Sequence, residues 1–407
     1  MWKKFFSEAT KKVFLVGFIL SIVGVAEAKE LPEIVWNKDV YTMTISSDYA
    51  NADKKRGYQL LNTGTPEEQR QNREKIAQAI ADKLAEQSAK LPFKLKTMLD
   101  VNDISERNFE NELGESPIAL VPIIVTDYSI EKEYVINNQH RYKYIIVSSI
   151  DIAFCSEDED GALTILSNIP LHFYESIPLS NSIGDMNKRE QAELARIYTD
   201  FTVDMIKKHL DFTKAKKAVN GLSDKKFVGE TYRVENVSYS SKIAQEVLGM
   251  NKLIQRIAGN VFTSDFAALT GNVVYPMILA DDNSSWTTDA VQGFYVAKMN
   301  TSHSGEKIVR MPTEVDHKIY LDVSGAGNKE IQTKYTSDIN GYKMYRLWME
   351  SKIDGKTIEI TNDVKEEFLK GNSMANRIIK DEQEIYGGLM IGAAVKSALA
   401  QAGKKVK

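Results

Sequence analysis

The chain has 407 residues, with 52 Lys and Arg against 56 Asp and Glu, a formal charge of −4 and 43 % hydrophobic residues. That mildly acidic balance excludes the clustered basic surface a nucleic-acid partner needs, and the apolar share is that of a folded chain. A single cysteine, Cys155, excludes an internal disulfide and the usual zinc patterns, so stability has to come from packing.

Residues 1–28 read as a secretory signal peptide. Lys3, Lys4, Lys11 and Lys12 precede the uncharged run Val13–Val25, and Ala26-Glu27-Ala28 supplies small residues at the cleavage positions. The run is shorter than the ~20 residues of a spanning helix. No cysteine follows it to carry a lipid. Cleavage after Ala28 removes four Lys and two Glu and shifts the formal charge to −6. The signal is bacterial in style. It implies a periplasmic or secreted protein with no transmembrane segment in the mature chain.

The mature length exceeds what one core usually organises, so two domains are expected, 29–212 and 229–407, joined by a Lys-rich linker at 213–228. In the first, Val40–Ile45 alternates like a strand. Thr65-Pro66-Glu67-Glu68 then combines a capping Thr, proline at the first helical position and Glu three residues after the cap. Ile76, Ile80 and Leu84 continue that helix, and Leu91-Pro92 ends it. The β-branched and aromatic runs Ile118–Ile130, Tyr142–Phe154 and Leu163–Tyr174 predict an antiparallel meander, turning at Asn137-Asn138 and at Ser156–Gly161. A second helix is expected from Lys188 to Leu210, with Leu194, Ile197, Tyr198, Phe201 and Met205 as its apolar stripe.

Beyond the linker the pattern recurs. Lys242-Ile243-Ala244-Gln245 matches Lys75-Ile76-Ala77-Gln78, and Tyr275–Asp281 has the shape of Val121–Asp127. Further strands are expected at Gly293–Met299, His317–Val323, Tyr342–Ile353 and Thr357–Thr361. The small-residue stretch Gly387–Gly403 reads as a packed terminal helix. The fold class expected is α+β: two α/β-sandwich-like lobes with antiparallel sheets flanked by helices, with an internal duplication left open. Pro122 and Pro276 would sit at strand edges, ends or bulges, since proline cannot donate to a ladder.

Chemistry is sparse. His140, His172, His209, His303 and His317 include no H-x-x-x-H or H-x-H pair. His172 reads as a half-buried strand residue, and His209 as a helix-end residue beside the dipole. There is no G-x-S-x-G elbow and no phosphate loop. Gly325-Ala326-Gly327-Asn328 lacks a third glycine, with Glu330 in its place, and reads as a turn. The Ser-x-x-Lys matches at Ser223 and Ser304 fall in polar loops. The acidic turn Glu157, Asp158, Glu159 and Asp160 could gather calcium. It lacks the spacing of a calcium loop and reads as a solvated turn.

The helix Lys75–Leu84, followed by Phe93-Lys94-Leu95, a loop and a sheet, is similar to periplasmic modules of the TolB amino-terminal or curli-secretion type. The resemblance covers a short stretch without a specific motif and implies a role in envelope assembly. No catalytic, cofactor or metal residues are assigned. The expected function is a non-catalytic exported binding or assembly module with a protein partner or self-association. The alternative is an exported hydrolase using carboxylates drawn from Asp127, Asp151, Asp281 and Asp282.

Amino-terminal sequencing of the exported chain is expected to begin at Lys29, and Ala28→Arg is expected to leave uncleaved precursor. A mature chain still carrying Val13–Val25 would refute the signal reading.

Overall fold

A computed structural model describes residues 31–37, 40–43, 57–99, 118–136, 139–158, 160–182, 185–223, 226–238, 240, 252–278, 286–289, 291–301, 305–332, 340–353 and 356–369. The signal stretch, Lys242–Gln245 and Gly387–Gly403 lie outside these residues. Residues Glu33–Lys407 form one compact unit.

Three short strands come first: β1 (Glu33–Asn37), β2 (Tyr41–Met43) and β3 (Gly57–Gln59). Helix α1 (Pro66–Glu86) follows. It starts where its capping box dictates: Thr65 accepts from the Glu68 amide, and Glu68 returns the bond to the Thr65 amide at 2.8 Å. Ile76, Ile80 and Leu84 are its buried stripe. Strand β4 (Lys94–Leu99) leads to the long meander β5 (Ile118–Ile136), β6 (Gln139–Glu157) and β7 (Leu163–Leu179). Helix α2 (Lys188–His209) is opened by Asn187 and Glu190 in a second capping box.

Residues 213–228, the expected linker, carry α3 (Lys216–Asn220) and the small hairpin β8 (Leu222–Ser223) and β9 (Lys226–Phe227), with Ala218, Val219 and Leu222 buried in the main core. Then come β10 (Thr231–Ser238), α4 (Lys252–Thr270), β11 (Val273–Tyr275), β12 (Trp286–Asp289), β13 (Phe294–Asn300) and β14 (Glu306–Pro312). The last three strands are β15 (His317–Gln332), β16 (Asn340–Ile353) and β17 (Lys356–Leu369).

The expectation of two α/β-sandwich-like lobes is overturned. Six strands close a ring in the order β13–β14–β7–β6–β5–β2 and back to β13, so strands from both halves of the chain build one barrel. The ladders are mixed. β14 runs parallel to β7 and β2 parallel to β5, while the other four pairings are antiparallel. A second sheet, β11–β10–β15–β16–β17, begins with parallel pairs and ends in an antiparallel meander. Four α-helices occur among the described residues.

The duplication fails on the same ground. Pro122 lies inside the 19-residue β5, at the gap between its pairing to β1 (through Leu120) and to β2 (from Ile123). Pro276 follows the end of the three-residue β11. The two runs share a sequence shape and not a structural position.

Alternation sorts the barrel's faces. Ala297, Met299, Val309 and Met311 are buried, whereas Lys298 and its cross-strand partner Ile308 are exposed, so the first set points inward. Register carries that face around the ring: Met299 pairs with Met43, Tyr41 with Ile123, and Ile123 with Asp151. The opposite route agrees. Val309 pairs with Leu163 and Leu163 with Glu157, and an extra residue in β7 at 166 keeps Ile165 with Cys155 and Asn168 with Ala153. Helices α1 and α2 cover the outer face, where the Tyr198 hydroxyl and Ser148 Oγ share a buried hydrogen bond of 2.9 Å.

Arg233, 1 % exposed, ties the second sheet to the barrel. Its guanidinium donates to the carbonyls of Pro312 (2.8 Å) and Thr313 (2.7 Å), pairs with Glu235 and lies 4.9 Å over the Tyr295 ring. In α4, Gly259 permits close approach: a Cβ there would fall 1.9 Å from Met277 Sδ.

Met299→Ala is expected to cost about 2–5 kcal/mol in urea unfolding, the range for emptying a packed site, while Lys298→Ala stays within about 0.5 kcal/mol. Equal effects would refute the inward and outward assignment.

Candidate functional site

Two places concentrate polar side chains. The first is a buried seam between the inward sheet face and α4. A second extra residue, in β5 at 125, returns Thr126 to the face of Ser149, and Ser149 pairs with His172. Ser149 Oγ lies 2.7 Å from His172 Nδ1, and Asn260 Nδ2 of α4 donates to Ser149 Oγ and to Thr126 Oγ1, each at 3.2 Å. Either Ser149 Oγ or His172 Nδ1 can be the donor in that contact, according to the tautomer, and Nε2 is buried and finds no partner among the described residues. Burial drives His172 down to about 3, so the ring is neutral.

Asp151 stands two residues from Ser149 on the same face and accepts from Asn168 Nδ2 at 2.9 Å. Burial pushes its carboxyl up to about 7, and the Asn168 bond only partly opposes this. A Ser–His contact of this length is the arrangement of an activated nucleophile. Here Ser149 is 4 % exposed and lies beneath α4, so the seam holds its polar groups away from any substrate. Cys155 is buried too, and burial alone pushes its thiol well up, which makes it inert.

The carboxylates considered from sequence do not converge. Asp127 pairs with Ser148 on the outer face and accepts from the Leu61 amide at 3.0 Å, whereas Asp151 faces inward. The two cannot flank one scissile bond. Asp281, Asp282 and His303 lie outside the described residues.

In the acidic turn, Glu157 pairs with Lys307 at 2.7 Å, and Arg310 holds Asp158 at 2.6 Å and Asp160 at 2.7 Å. Thr164 Oγ1 also donates to Asp158. These carboxylates tie β14 to the β6–β7 turn, and among the described residues no acidic, His or Cys cluster suits a metal ion. Glu159 lies outside the described residues. Gly325–Asn328, read as a turn, belongs to β15 and pairs with β16 just past a bulge after Val323. His140 is exposed, His209 is the last residue of α2, and the His317 ring stacks on Tyr232 at 4.4 Å.

The second place is open. Helices α1 and α2 lie parallel: Gly64 comes close to Ala192 at one end, and Gln87 bonds Leu210 and Phe212 at the other. Between their amino-terminal halves runs an open groove of about 730 Å³. Its lining mixes apolar Leu179, Met186, Leu194 and Ile197 with Asn72 and Arg189. This volume falls within the ~300–1,000 Å³ usual for ligand sites. No sequence motif marked it, although the Thr65 capping box, which begins one of its walls, was legible. No helix among the described residues is long and apolar enough to cross a membrane.

Comparison with protein-family models finds no match, and comparison with curated proteins finds none.

The seam's two titrations oppose each other. Asp151, raised from 3.8, contributes stability that is lost as pH climbs towards about 7. His172, lowered from 6.5, contributes stability that is lost as pH falls below that value. Between about pH 4 and 6.5 the two slopes cancel, each being about 1.4 kcal/mol per pH unit. Relative to the parent, Asp151→Asn is expected to gain stability with rising pH over that window, and His172→Gln to lose it. Urea midpoints at pH 4.5, 5.5 and 6.5 check this; slopes unchanged in both variants would refute the burial of the pair.

Proposed function

We propose that this protein is an exported, non-catalytic binding and assembly module of the cell envelope or secreted space. One observation carries the reading: the groove between α1 and α2 is open and mixed in polarity, whereas the displaced titratable groups Asp151 and His172 are sealed inside. Catalysis needs groups whose proton affinities are tuned and whose atoms reach the substrate. Here tuning and access fall in different places. Binding needs a concave surface that offers both apolar and polar groups, and the groove lining supplies both. Export rests on the signal pattern of residues 1–28.

A photo-crosslinking residue placed in turn at Gln71, Glu193, Lys226 and Gln292 tests the reading in the producing cell. A discrete adduct to one envelope protein from any of these positions, with no turnover of glycan or peptide panels by the mature chain, is the expected result. Turnover of a glycan or peptide with no adduct from any position would overturn it.

A further inference from the structure

The acidic balance of the chain does not extend to one surface. Between residues 205 and 228, seven lysines (Lys207, Lys208, Lys214, Lys216, Lys217, Lys225 and Lys226) stand against Asp211 and Asp224. A linker would carry them loosely, but this stretch is fastened down. Ala215, Ala218, Val219 and Leu222 are buried, and Ser167 Oγ donates to the Ala218 carbonyl at 2.7 Å. The Gln87 side chain at the end of α1 bonds Leu210 and Phe212, which brings Lys90 to the same end of the helix pair.

Two of the lysines are spoken for. Lys217 Nζ donates to the Thr270 carbonyl at 2.9 Å and to Asn272 at 2.8 Å, and Lys214 pairs with Asp211 at 3.5 Å. Lys90, Lys207, Lys208, Lys216 and Lys226 are exposed and make no ion pair among the described residues. Asp204, one turn before Lys208, offsets one of these charges. The carboxyl end of α2 accounts for Lys207 and Lys208, since cations are favoured there. It does not account for Lys216 and Lys226, on the short helix and hairpin that follow. Like charges gathered on one surface repel, and an anionic partner removes that cost. Apolar side chains stand among them. Val228 is 70 % exposed, and Leu269, next to the Thr270 that Lys217 holds, is 46 % exposed.

We infer that this surface holds the protein against an anionic phospholipid membrane. It lies at the carboxyl ends of α1 and α2, away from the groove between their amino-terminal halves, and is independent of the binding reading above. Ammonium tips on long aliphatic stems, set beside exposed Val228 and Leu269, suit the headgroup layer. The charges meet lipid phosphate while the stems and the two aliphatic residues reach the acyl boundary. Protein interfaces favour Arg and aromatic rings and are poor in Lys, and nucleic-acid sites use Arg forks and stacked rings. Residues 205–228 hold no Arg and no exposed Phe, Tyr or Trp. Lysine charge without directional partners matches a fluid anionic sheet better than a defined macromolecular face.

The test sediments the full mature chain, Lys29–Lys407, with vesicles of phosphatidylcholine alone and with vesicles of phosphatidylcholine and phosphatidylglycerol in equal parts. Sedimentation with the anionic vesicles only, falling as salt is raised, is the expected result. Each lysine at such a surface is worth about fivefold in partition, so Lys207→Ala with Lys208→Ala is expected to weaken binding about 25-fold. Lys188→Ala with Lys298→Ala removes the same charge from exposed positions at the other end of α2 and on the barrel, and should leave binding unchanged. No sedimentation, equal sedimentation with both vesicle types, or equal losses from the two double variants would each overturn the proposal. A protein adduct at Lys226 in the crosslinking scan without vesicle binding would overturn it in favour of an acidic protein partner, leaving the module reading intact.

Discussion

The barrel depends on three residues. Strand β2, Tyr41–Met43, is the only link in the ring made of so short a piece, and it pairs through two residues on each side, with β5 and with β13. So little ladder does not hold a strand by itself. The rest comes from side chains: Val40, Tyr41 and Met43 are buried, and Thr42 Oγ1 donates to the Asn300 carbonyl. Arg73 of α1 donates to Thr42 Oγ1 at 3.3 Å and to Asn62 Oδ1 at 2.6 Å. The helix that closes the ring from outside is thus the helix that carries Asn72. One residue points its charge at the closing strand, and its neighbour leaves an amide in the groove. Barrel closure and groove shape are parts of one arrangement.

The parallel contact of β14 with β7 is equally short, with Val309 facing Leu163 and Arg310 facing Thr164. Here the acidic turn supplies what the ladder lacks. Arg310 and Lys307 reach across to Asp158, Asp160 and Glu157 from about 150 residues away in the chain. Exposed ion pairs contribute little singly, about 0.2–1 kcal/mol. Three of them on adjacent positions, with Arg310 itself mostly covered, fix register more than they add stability. A turn that looks from its composition like a solvated tip is a clasp.

Local signals were legible and distant ones were not. The capping box at Thr65, the apolar stripes of α1 and α2 and the β5–β7 meander all lie within reach of neighbouring residues, so local pattern reports them. Ring closure joins residue 43 to residue 299, and nothing in a short window registers that. The seam fell between these cases. Counting outward from the β6–β7 turn places His172 opposite Ser148, on the outer face. The one extra residue near 166 moves it to Ser149 and turns it inward. A bulge of that kind has no signature in composition. The open groove was invisible for a further reason: it needs two helices 120 residues apart to lie parallel, and each alone shows only an ordinary polar face.

The unpaired amide of the seam separates stability from access. Asn168 Oδ1 is buried beside Asp151 without a partner among the described residues. Its cost, about 1–3 kcal/mol for an unsatisfied buried group, is set by folding and stays with the barrel whatever the protein meets. Asn72 differs in kind: it lines the open groove, where its carboxamide is open to water and carries no such cost. The strongest displacements of proton affinity, at Asp151 and His172, lie in the sealed seam and apart from the open groove.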